Sequence, residues 1–212
     1  MTHETMTIHR ALAELKLLDS RIDTAIENSS FCTCIKHGQD KVSGKTISQF
    51  RKDAESALQK ITDLINRRNA IKQAVSNSNS QTTVQIAGKT YTVASAIAMK
   101  QQGMVYLTLL RNELESQYTA SVKKIETSNA ALDQKADDML QKLYGTSDKT
   151  VSAEILTATR EAYVKPLQME LVDSIHIESV IENLTETIDS FMSEVDSVLS
   201  TSNAVTEITI DY

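Results

Sequence analysis

The residues whose types most suggest chemistry are Ser43-Gly44-Lys45-Thr46, inside the stretch GQDKVSGKTISQF from Gly38 to Phe50. A glycine-lysine-threonine ending ahead of a helix is how a phosphate-binding loop closes, with successive main-chain N–H groups curled around one phosphate. The loop has a fixed size, G-x-x-x-x-G-K-[ST], which places its first glycine at position 39. That position is Gln39, and Gly38 is one residue too far. The preceding FCTCIKH is too short and polar for the buried strand such a loop follows, and no apolar run ending in Asp supplies a magnesium ligand. The same letters have a simpler use. Thr46-Ile47-Ser48-Gln49 matches a capping box, in which the threonine side chain accepts from the third helical N–H and the glutamine reaches back.

Cys32-Thr33-Cys34 with His37 puts three soft or borderline metal ligands within six residues, and a fourth from elsewhere would complete a zinc site. The competing reading is a pair of partly buried free thiols in a loop packed on helices. Structural zinc sites show two separated ligand pairs, so no metal and no cofactor is expected, with Cys32, Cys34 and His37 as the only metal candidates. A disulfide across one intervening residue would be strained. His3-Glu4 lacks the second histidine that H-E-x-x-H requires, because position 7 is Thr7. His176-Ile177-Glu178 has no P-C-x-x-C after it. No paired carboxylates and no Ser or Cys with a base at defensible spacing point to catalysis, and an enzyme is not expected.

The elements that hold these residues are mostly helices. Ile8, Leu12, Leu15, Leu18, Ile22 and Ile26 recur at three and four residues, predicting a helix over about 7–28. After a polar loop or short irregular hairpin, Ile47 to Val75 repeats the pattern, and the two apolar seams predict an antiparallel helix pair. SNSNSQT breaks the period. TVQIAGKTYTV then alternates around Ala87-Gly88-Lys89, predicting a β-hairpin at about 83–93 with Gly88 in the turn. A long helix follows over about 94–144, with a kink expected at ETSNAA and a cap at Gly145. GTSDKT is read as a loop, and a shorter helix runs from about Ser152 to Lys165, ahead of Pro166. Leu167 to Leu199 carries a heptad through Ile177, Ile181, Leu184, Ile188 and Phe191. AVTEITIDY, with Ile208, Ile210 and Tyr212 alternating, predicts a terminal strand that pairs with the 83–93 hairpin or joins a sheet in a neighbouring subunit. The methionines along the helices read as core filler.

Charge is divided along the chain. Residues 1–145 carry 19 Lys+Arg against 15 Asp+Glu, a net +4, whereas residues 146–212 carry 3 against 13, a net −10. Phosphate backbones would repel the acidic part, so nucleic acid is not an expected partner; basic N-terminal helices or a basic surface on another protein fit better. Arg67-Arg68 interrupts the seam of the second helix. The pair binds an anion or acidic partner, or else marks where helices diverge or pair with a carboxylate of the acidic C-terminal third. No window of about 18 residues is free of charge, so no membrane span is expected, and no signal peptide is read in MTHETMTIHRALAEL.

The segment LINRRNAIKQAV, the Asn/Ser-rich stretch after it and TVQIAGKTYTVASAIAMK together resemble a family of small helical bacterial proteins named after septicolysin. That family has a similar L-I-x-R-I-N-x-T-N segment, a short glycine-turn element and a helix. The chain is also similar to proteins of this layout encoded in tailed-phage genomes, most closely in RRNAIK and YTVASAI. The resemblance spans roughly residues 8–120 and rests on Leu64, Ile65, Arg67, Asn69, Gly88 and Ala96, none of which belongs to a known catalytic motif. The septicolysin name implies a pore-forming toxin, yet the chain lacks the long amphipathic β-hairpins or apolar helix that would insert. The phage layout implies a virion component.

The expected fold is mainly α, an elongated helical bundle or coiled coil with a small β-hairpin and a C-terminal strand. Residues 1–145 are expected as a helical domain and 146–212 as an acidic helical arm. The expected function is a structural or assembly subunit of a phage virion, in its tail, baseplate, neck or capsid, built in the host cytoplasm; the alternative is a soluble binding or membrane-active helical module, otherwise cytoplasmic. Other protein subunits, in a homo-oligomer or a virion, are the expected partners. The expected contact residues are Arg67, Arg68, Ile177, Ile181, Leu184, Ile188, Phe191, Ile208, Ile210 and Tyr212.

Overall fold

The computed structural model describes residues 3–145 and 152–212. The chain is mainly helical, in the order β1 (His3–Thr7), α1 (Ile8–Glu27), β2 (Lys41–Val42), β3 (Lys45–Thr46), α2 (Ile47–Gln81), β4 (Thr83–Ile86), β5 (Lys89–Thr92), α3 (Val93–Ala98), a π-helical turn (Met99–Gly103), α4 (Met104–Tyr144), α5 (Ala153–Val164), α6 (Ile177–Val205) and β6 (Glu207–Asp211). Among the described residues, strands occur only as the antiparallel pairs β1–β6, β2–β3 and β4–β5. The chain divides into two compact units, Met1–Gln101 with Ser190–Tyr212, and Gln102–Asp189. The expected boundary at 145/146 falls inside the second unit, and the expected loop after Gly145 lies outside the described residues.

In the first unit, three threonines start helices in the same way. Extended Thr7, Thr46 and Thr92 accept the N–H of Arg10, Gln49 and Ser95 at 3.3, 3.2 and 3.0 Å, each satisfying a donor that the first helical turn leaves free. Helices α1 and α2 pack antiparallel, so Glu14 meets Arg67 while Thr24 and Asn28 lie against Ala57 and Lys60. Strand β1 runs beside β6 with Met6 opposite Ile208 and Glu4 opposite Ile210. Met6, Ile208 and Ile210 point inward onto Ala11, Leu18, Ile71 and Val75, closing the main core. A second contact sets Phe191 edge-on to Tyr91, with ring centres 5.6 Å apart and planes at 78°. The Ala87 N–H donates to Glu194 at 2.7 Å, and Lys100 pairs with Asp196.

The second unit is held differently. Arg160 of α5 pairs with Asp133 (2.6 Å) and Asp137 (3.4 Å) of α4. The Tyr144 hydroxyl lies 3.3 Å from that of Thr159. After Pro166 the chain runs without helix to Asp173, whose carboxylate accepts the N–H of Ile175 and Ile177 and so starts α6. Gly145, at φ 68°, caps α4 by donating to the Gln141 carbonyl at 2.9 Å.

Several boundaries differ from expectation. Helix α2 continues through SNSNSQ to Gln81: Ser80 bonds back to the Asn77 carbonyl, and half-buried Ser78 and Asn79 show that packing overrides weak propensity. The long helix is unbroken at ETSNAA. Its irregularity is the π-helical turn at Met99–Gly103, one turn earlier than Leu107. The heptad region is helical only from Ile177.

Candidate functional site

The stretch that resembled a phosphate loop is a tight hairpin. Ser43 and Gly44 both take positive φ, 46° and 81°, as a type I′ turn requires, and Lys45-Thr46 pairs with Lys41-Val42. Lys45 binds Asp53 one turn into α2, and Gln49 also turns to Asp53 at 2.7 Å rather than back to Thr46, so the capping box is half made. Lys45 first and Gln49 second hold the Asp53 carboxyl below its ordinary range. A lysine already committed to a carboxylate is not poised over a vacant phosphate cradle.

Cys32 and Cys34 are free and exposed, not packed on the helices. Among the described residues, no group of three or more His, Cys, Asp or Glu is arranged to hold a metal ion, His37 with its two cysteines included. The open groove of about 640 Å³ between α1 and α2 has Arg21 and Lys60 as its ionisable lining, which supplies cations but no acid–base pair.

Arg67 is the most engaged charge in the first unit. It donates to Glu14, to Glu4 at 2.8 Å and to the Tyr212 hydroxyl, and its guanidinium lies 4.7 Å from the Tyr212 ring centre. The hydrogen bond to Glu14, then that to Glu4, raises its affinity for the proton against the opposing effect of burial. Arg68 pairs with Asp19. The carboxylates therefore come from β1 and α1 and not from the acidic C-terminal third, which contributes only the Tyr212 hydroxyl and ring. The reason is the antiparallel packing of α1 on α2, with β1 folded back across both.

The expected contact residues are thus brought partly together and partly into the interior. Ile208 and Ile210 are buried in the chain's own core, paired with β1 and not with the hairpin or a neighbouring subunit. Ile188 and Phe191 are also buried, so they are corrected from partner contacts to internal packing. Ile177, Ile181 and Leu184 are half-buried. What sequence reasoning missed lies in the second unit. Val105, Tyr106, Leu109 and Leu110 form one exposed face on α4, and Met169, Leu171 and Val172 stand exposed between α5 and α6. The signal was present: Met104 to Leu110 is apolar almost all round, which a helix with one covered face does not need.

Hydrogen bonds of this second unit also hold the exposed segment in place. Asn129 of α4 binds Met169 through both its amide and its carbonyl, at 3.0 and 2.9 Å. The Glu178 carboxylate beside Tyr118 raises the phenol above its ordinary range. The arrangement presents apolar surface, and the open pocket of about 370 Å³ on α4 and α5 has Lys135, Asp138, Lys142 and Tyr163 as its ionisable lining. No family model, no curated protein and no solved structure matches this chain.

Proposed function

We propose that this chain is a non-enzymatic structural subunit whose second unit is covered by other protein subunits in a larger assembly. One observation carries the reading: over Gln102–Asp189 the buried hydrophobics among the described residues are Met104, Leu132, Ala136 and Ile188. Against these stand the open face of α4, with Tyr106 67 % exposed, and the segment ending in Val172 at 93 %. Monomeric soluble proteins rarely leave contiguous apolar patches of this kind in water, and partner surfaces are where they are found. Among the described residues no helix is long and apolar enough to cross a membrane.

A virion component, in a tail, baseplate, neck or capsid and assembled in the host cytoplasm, is the finer form of this proposal. It is supported by the likeness of RRNAIK and YTVASAI to phage-encoded proteins. The test is native mass spectrometry of the purified chain together with protein analysis of purified particles. Oligomers, or stoichiometric recovery with particles, are expected. A chain that stays monomeric across the concentration range and is absent from particles overturns the reading, and leakage from liposomes would replace it with the membrane-active alternative.

A further inference from the structure

We draw no further inference here: the strongest candidate, the open groove of about 640 Å³ between α1 and α2 with Arg21 and Lys60 on its walls, carries none, because both cations are exposed to water and nothing in the structure shows what covers the groove.

Discussion

Helices of similar length finish differently in the two units. In Met1–Gln101 with Ser190–Tyr212, each long helix reaches a shared core over part of its apolar stripe: Leu18 of α1 and Ile71 of α2 meet Ile208 and Ile210 of β6, and Phe191 of α6 is buried against Tyr91, while Ile26 of α1 and Leu58 of α2 stay exposed. In Gln102–Asp189 the 41-residue α4 buries only Met104, Leu132 and Ala136. Its neighbours are instead fixed by polar contacts, Arg160 on Asp133 and Asp137, and Asn129 on Met169. Polar contacts at a surface set geometry but add little stability, whereas apolar burial adds much. Having regular helices and having a finished core are therefore separate properties, and the second unit has the first without the second.

Core truncation should separate the units most strongly. Phe191→Ala removes a side chain that is 1 % exposed and should cost about 3–5 kcal/mol in urea unfolding followed by circular dichroism. Leu109→Ala, on the open face of α4, should change the isolated chain by less than about 0.5 kcal/mol while weakening assembly. Similar losses from both would break the comparison. The next effect is electrostatic. Arg67→Ala leaves Glu14, its side chain 20 % exposed, without its cation and Glu4, 26 % exposed, with Arg10 alone at 3.1 Å, and should cost about 1–3 kcal/mol. Arg67→Lys should not restore it, since an ammonium cannot serve two carboxylates, a phenol and a ring from one plane. Arg160→Ala should leave the unfolding midpoint nearly unchanged, because that site is open to water.

Which parts were legible in the sequence follows the range of the interactions. The starts of α1 and α2, the hairpin at Gly88, the Gly145 cap and the C-terminal strand were readable because each depends on residues a few positions apart. Strand β1 was not: Thr5-Met6-Thr7 is too short to signal a strand, and its partner Thr209 lies at the far end of the sequence. The same blindness assigned Ile208 and Ile210 to an outside partner. Arg67 was legible as an interruption of a seam, but its carboxylates depend on how β1 folds back. The heptad spacing ran on through Leu167 to His176 because it counts positions and ignores Pro166 and the capping oxygens of Asp173, which decide where α6 begins.

Helix starts carry the comparison to smaller energies. Thr92→Ala should cost about 1 kcal/mol, since the hydroxyl accepts the Ser95 N–H. Ser152 stands at the start of α5 with no side-chain bond to that helix, so Ser152→Ala should leave stability unchanged. A loss at Ser152 matching that at Thr92 would mean that the second unit is finished as carefully as the first.

The smallest effect concerns Lys45 and Asp53. Because the folded carboxyl sits below its unfolded value, the pair's contribution is fully present above the ordinary carboxylate range, near pH 4, and is lost as pH falls through the lowered folded value. Asp53→Asn should therefore lower the thermal midpoint slightly at pH 7, and parent and variant should converge below about pH 4. Lys45→Ala should remove the same increment, and the two substitutions together should add nothing further, which a double-mutant cycle measures directly. Additive losses would show that Lys45 has another role, and only then would the glycine-lysine-threonine stretch need to be weighed again as a binding loop. A cycle that closes on the pair leaves Lys45 as the tie between a type I′ turn and the second turn of α2.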